Sequence, residues 1–178
     1  MIVLSEKQII MLHHQLILET GGSTGYKEDA AMDLHMDPTD KQFMDLWQSV
    51  DRLYGNYARS KGLTFMSFNV LDIICHNEGS CTQKRICEET QYPKQSVNLI
   101  IKGFLERGYV ELKEMPADRR NKLIHLTPEG LSYAEEILEP VRKAERAADA
   151  ELTAEEWAGV LHLLKRYAAR LAQEMETV

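Results

Sequence analysis

Between residues 93 and 122 the sequence places Lys94, Gln95, Ser96, Asn98 and Lys102, and then Arg119, Arg120 and Lys122. Ammonium and guanidinium groups neutralise phosphates, and amides and hydroxyls pair with base edges, so these types together suit a nucleic-acid backbone and the groove beside it. The whole chain is acidic, with a formal net charge of -7 over 178 residues. Its charge is unevenly spread, and a phosphate backbone responds to the distribution. From Lys84 to His125 there are nine Lys or Arg against six Asp or Glu, giving +3 and leaving -10 for the remainder.

Other chemistries find little support. No Gly-rich phosphate loop, close carboxylate pair, Ser/His/Asp set or Cys/His set stands out, and an enzyme is not expected. Cys75, Cys81 and Cys87 are spaced by six, which fits neither zinc-site spacing nor one helix face, so reduced free thiols are expected and no metal or cofactor. The adjacent His13 and His14 would point to different faces of a helix. No apolar run approaches the roughly 18 residues of a membrane span, and the opening MIVLSEKQIIMLHHQL lacks the pattern of a secretion signal. A cytoplasmic location without membrane contact is expected.

The elements that must position the polar residues are marked by local signals. A helix is expected from Ser5 to about Thr20, with Ser5 and Gln8 as a capping box and Gly21-Gly22 as the stop. A second opens at Asp37-Pro38 and runs through Phe43, Trp47, Val50 and Tyr54 to about Lys61, closed by Gly62. A third, capped by Thr64, carries Phe68, Leu71, Ile74 and Cys75. Two closely joined helices follow, from Thr82 to about Thr90 and from Pro93 to about Arg107, the latter stopped by Gly108. Val97, Ile100, Ile101, Phe104 and Leu105 stripe one side of it, opposite Lys94, Gln95, Asn98 and Lys102. YVELKE and NKLIHL, joined by MPADRR, read as a two-stranded hairpin. Thr127-Pro128 starts another helix, which Pro140 should bend or divide, and Thr153 caps a last one running to about Met175.

Two joined helices followed by a hairpin is the order of a winged helix-turn-helix, whose second helix enters the major groove while the wing reaches an adjacent groove. The expected fold is mainly α: a winged helix-turn-helix core with a two-stranded β-hairpin wing and long flanking dimerisation helices. DNA contacts are assigned to Thr82, Lys84, Pro93, Lys94, Gln95, Ser96, Asn98, Lys102, Arg119, Arg120 and Lys122. Arg119 and Arg120 are set at the wing tip, with Asp118 holding one of them by a bidentate pair. The same pair could instead only tie down a turn.

In this order and spacing, Leu63 to Gly130 resembles the MarR-type transcriptional regulators. The matching strings are LTFMSFNVLDII and TQKRICEETQYPKQSVNLIIKGFLERGYVELKEMPADRRNKLIHLTPEG, within which LERGYVE, DRRNK and LTPEG look like the family's turn into the wing, its wing motif and its entry to the dimerising helix. The resemblance implies a symmetric homodimer that binds a pseudo-palindromic DNA site and represses nearby genes. It carries the wing role onto Arg120. It also implies a small aromatic or anionic effector, for which Trp47, Tyr54, Phe65, Phe68 and His76 are candidate pocket residues; core packing explains aromatic residues at helical spacing equally well. The family's peroxide sensors use a cysteine near the chain start, whereas the first here is Cys75. LHHQLILETGGSTGYKED resembles the opening of Fic/Doc-type proteins, but that family's HPFxxGN-type motif is absent.

The expected organisation is an appended helix and loop over 1–36, a scaffold helix over 37–62, the DNA-binding domain over 63–127 and dimerisation helices over 128–178. Stripes on the terminal helices (Leu131, Ile137, Leu138, Leu161, Leu164, Leu171) exceed what a small winged-helix core can cover, which argues for the dimer without the resemblance. The expected partners are double-stranded DNA, a second copy of the chain and a small effector. The competing reading is a winged-helix adaptor that binds protein and no DNA.

Overall fold

The computed structural model describes residues 38–115 and 118–176. The helix expected over 5–20, the loop after it, His13-His14 and the Asp37 cap lie outside the described residues. Among the described residues, six helices and one antiparallel hairpin follow in order: α1 Pro38–Ser60, α2 Phe65–His76, α3 Gln83–Thr90, α4 Lys94–Glu106, β1 Val110–Met115, β2 Asp118–Leu126, α5 Pro128–Asp149 and α6 Ala154–Met175. The chain divides into two compact units, one ending at Glu135 and the other beginning at Glu136.

Caps fix most of these boundaries. Thr64 Oγ1 accepts the Ser67 N–H at 3.0 Å, and Thr82 Oγ1 accepts the Arg85 N–H at 3.1 Å, each satisfying a donor that the first helical turn cannot. Thr153 and Glu156 form the reciprocal capping box that starts α6. At the end of α4, Gly108 takes φ +73 while its N–H reaches Leu105 O and the Tyr109 N–H reaches Phe104 O, both bonds of a Schellman closure. A side chain at Gly108 would oppose that left-handed turn, which throws the chain straight into β1.

The core of the first unit gathers around α2. Val70, Leu71, Ile74, Ile86, Val97, Phe104 and Ile124 are almost wholly buried, so α2, α3, α4 and β2 share one apolar centre. Two polar residues enter it as a pair: Asn69 Nδ2 donates to Tyr92 Oη at 2.7 Å. The α3–α4 turn is short because Gln91 adopts φ 58, and Thr90 Oγ1 both donates to Ile86 O and accepts the Tyr92 N–H.

The hairpin differs from the sequence expectation. Pairing runs from Val110↔Leu126 to Glu114↔Lys122, then slips so that Met115 faces Asp118. Asp118, Arg119 and Arg120 therefore belong to β2 instead of a turn, with Arg119, Arg120 and Asn121 opposite the slip. A bulge absorbs the excess length of one strand without ending the ladder. The hairpin's inner edge is sewn to the start of α3, where the Ile124 N–H donates to Cys81 O at 2.9 Å and Thr82 bridges Leu123.

Thr127 joins the hairpin to α5. Its Oγ1 donates to Gly108 O at 2.7 Å and accepts the Gly130 N–H at 2.9 Å, while Tyr109 and Tyr133 stack with centroids 4.2 Å apart. Gly130 lies so close that a Cβ there would stand 1.7 Å from Tyr109 O. Pro140 does not divide α5, which continues from Pro128 to Asp149. The proline is exposed on that helix. In α6 no described residue is buried, although Val160, Leu163, Tyr167, Leu171 and Met175 are all large and apolar.

Candidate nucleic-acid interface

Helix α4 has two contrasting sides. Val97, Ile101 and Phe104 are buried, whereas Lys94, Gln95, Asn98 and Lys102 are exposed and Ser96 is half-buried. Pro93 is exposed at the N-cap, where its fixed φ of -54 suits the entry and its missing N–H costs nothing. Helix α4 is held by a residue that the sequence reading omits: Gln83 Nε2 donates to Lys94 O at 3.0 Å, tying the first turn of α3 to that of α4. No local pattern reveals such a bond, because it depends on how the two helices cross.

Of the other expected contacts, Thr82 spends its hydroxyl on the α3 cap, and Lys84 and Lys122 are exposed. Lys84 lies 3.6 Å from Glu88, and Lys102 lies 3.7 Å from Glu106, each one helical turn away. Such solvent-exposed pairs contribute only about 0.3–0.5 kcal/mol, so either lysine can turn to a phosphate at small cost. Arg85 is committed differently, donating to Glu89 Oε1 at 2.7 Å and to Ser80 Oγ at 3.1 Å. The side-chain roles expected of Asp118, Arg119 and Arg120 lie outside the described part of the structure. Leu99, which belongs to neither the polar set nor the apolar stripe, is 71% exposed on α4.

Of the candidate effector residues, Tyr54 and Phe68 are brought together. Tyr54 and Phe68 approach with centroids 6.4 Å apart, and Tyr57 meets Phe68 edge-on at 6.2 Å, with Phe68 only 5% exposed. Trp47 packs near Phe43 at 5.7 Å, two turns back along α1 from Tyr54. Phe65 begins α2 and His76 ends it, about 16 Å apart along the axis, with His76 Nδ1 3.1 Å from Asp72 Oδ1.

Two of the three thiols, Cys81 and Cys87, are poor nucleophiles. Burial, reinforced by the negative charge of Glu89, pushes Cys81 up to about 12, and burial raises Cys87 as well. Among the described residues, no group of three or more His, Cys, Asp or Glu could hold a metal ion, and no helix is long and apolar enough to cross a membrane.

Comparison with known proteins agrees with this geometry. Residues 61–121 match the profile of the MarR family. The multiple antibiotic resistance protein MarR of Salmonella typhimurium is 29% identical over 121 residues, 67% of this chain and 83% of that protein. A candidate transcriptional regulatory protein for the hcr operon of Thauera aromatica is 25% identical over 107 residues, and the match spans 64% of its length and 60% of this chain. Among solved structures, a MarR family regulator from Neisseria meningitidis aligns with TM-score 0.65 and 25% identity, covering 79% of this chain and 98% of that one. A mutant MarR from E. coli complexed with operator DNA shares the fold at TM-score 0.58 and 24% identity, covering 78% and 99%. With the helix pair, hairpin and capped junctions in place, residues 61–121 of this mainly α, winged helix-turn-helix chain are a MarR family domain.

Proposed function

We propose that the protein is a homodimeric, DNA-binding transcriptional regulator that represses by occupying a pseudo-palindromic operator. The observation that carries this reading is α4: its exposed side bears Lys94, Gln95, Asn98 and Lys102 opposite a side buried in the core. Amides and cations so placed can enter a major groove while the helix stays anchored. Arg119, Arg120 and Lys122 lie on β2 of the hairpin rooted on α3, and cations there suit a flanking groove. Dimerisation is supported by α6, whose exposed Val160, Leu163 and Leu171 form an apolar side that a second copy would cover. Two copies double the phosphate contacts and fix half-site spacing. Relief comes from a small aromatic or anionic ligand that favours a dimer geometry with mis-spaced α4 helices, a population shift without chemistry.

The test is selection of bound fragments from genomic DNA, followed by affinity against salt for wild type and for Arg119→Ala with Arg120→Ala. The expected result is a fragment with two symmetric half-sites, and a variant with weaker binding and a salt slope flatter by about two. Retention of no DNA in a salt-dependent manner would leave the protein-binding adaptor as the better reading. Unchanged slope in the variant would remove the wing arginines from the interface.

A further inference from the structure

Leu99 is the most exposed of the large hydrophobic residues described, at 71%. It is not a core residue frayed outward. Val97, Ile101 and Phe104 face the core, while Leu99 follows Gln95 by four residues and precedes Lys102 by three, which sets it in the middle of the polar side. Its neighbours one turn away along that side are Gln95, Ser96, Lys102 and Gly103, with Glu106 a turn further on. One isobutyl group among polar side chains is too small an apolar patch to dock a protein helix or a membrane. It matches the one apolar group that B-DNA presents in its major groove, the 5-methyl of thymine, and no other base carries such a group there.

We propose that Leu99 is a specificity-determining residue that packs on a thymine methyl group in each operator half-site, between the base contacts of Gln95 and the phosphate contact of Lys102. The inference rests on the reading of α4 as the DNA-facing helix. It adds an apolar contact to a surface otherwise read by hydrogen bonds.

The experiment uses the full chain and the DNA fragment recovered by selection, with each half-site thymine replaced in turn by deoxyuridine, which keeps the pairing and removes only the methyl. Wild type is expected to lose about fourfold in affinity at one symmetric position per methyl removed. Leu99→Ala is expected to bind the thymine-containing fragment at least as much more weakly, and to bind the thymine and deoxyuridine fragments equally. Its unfolding midpoint should match wild type, since the side chain is exposed, and Gln95→Ala should keep the methyl discrimination. A Leu99→Ala protein that still prefers thymine fourfold, or a wild type indifferent to every methyl, overturns the assignment while leaving DNA binding intact. A wild type that retains no DNA at all overturns both.

Discussion

Asn69 donates a 2.7 Å hydrogen bond to Tyr92 Oη, joining the middle of α2 to the turn that launches α4 across 23 residues of sequence. Both residues are 5% exposed, so each polar group depends on the other. Burial raises the Tyr92 phenol above its ordinary value, against a smaller lowering by the Asn69 bond. Asn69→Ala leaves a buried hydroxyl unpaired and should cost about 1–3 kcal/mol. Replacing both partners together, as Asn69→Leu with Tyr92→Phe, should cost less than the two single changes summed. Urea denaturation of the four proteins measures the coupling; additive losses would deny it.

Gly130 supplies a test of opposite sign to another glycine. A Cβ at Gly130 would stand 1.7 Å from a backbone oxygen, whereas one at Gly159, inside α6, meets nothing within 4 Å. Gly130→Ala should therefore destabilise by about 3 kcal/mol, forcing Tyr109 and the Thr127 junction apart. Gly159→Ala should be neutral or stabilise by up to about 1 kcal/mol through helix propensity. Equal midpoints for the two variants would contradict the close approach.

Gln95 and Asn98 should separate from Lys94 in binding assays. Alanine at either amide should relax sequence preference by about 1–3 kcal/mol per lost base contact. Lys94→Ala should weaken all sequences alike and lower the salt slope by about one. Competition between specific and random fragments distinguishes the two patterns. If amide variants lose specific and random binding equally, those side chains only orient α4.

Cys81 should be silent toward a thiol reagent at pH 8 until the protein unfolds, because it is fully buried and its thiol is raised to about 12. The half-buried Cys75 and Cys87 should react first. A thiol whose folded value exceeds its unfolded value near 8.5 holds its proton more tightly in the fold. Its contribution to stability is therefore fully present below about pH 8.5 and is lost as pH rises toward 12. Mass mapping after brief alkylation, with and without denaturant, checks the order; early labelling of Cys81 would refute it.

What could be read from sequence was what local chemistry decides. Thr64, Thr82 and Thr153 announce helix starts because a hydroxyl accepts an orphan N–H within three residues, and Gly108 announces a stop through its left-handed turn. The stripe of Val97, Ile101 and Phe104 gave the polar side of α4 by subtraction. Features set by distant partners were hidden. The slip between Glu114 and Met115 depends on strand pairing and the Gln83 bond on helix crossing, while α5 runs on past Pro140. Leu99 gives no signal of its own, since a leucine carries none of the groups that pair with phosphates or base edges.

The stitch between Ile124 and Cys81 is made by main-chain atoms, as is the bridge from Thr82 to Leu123. Such an attachment is indifferent to which side chains the outer hairpin displays. Substitutions at the far end of the ribbon can thus change what it displays while its mounting on α3 is kept.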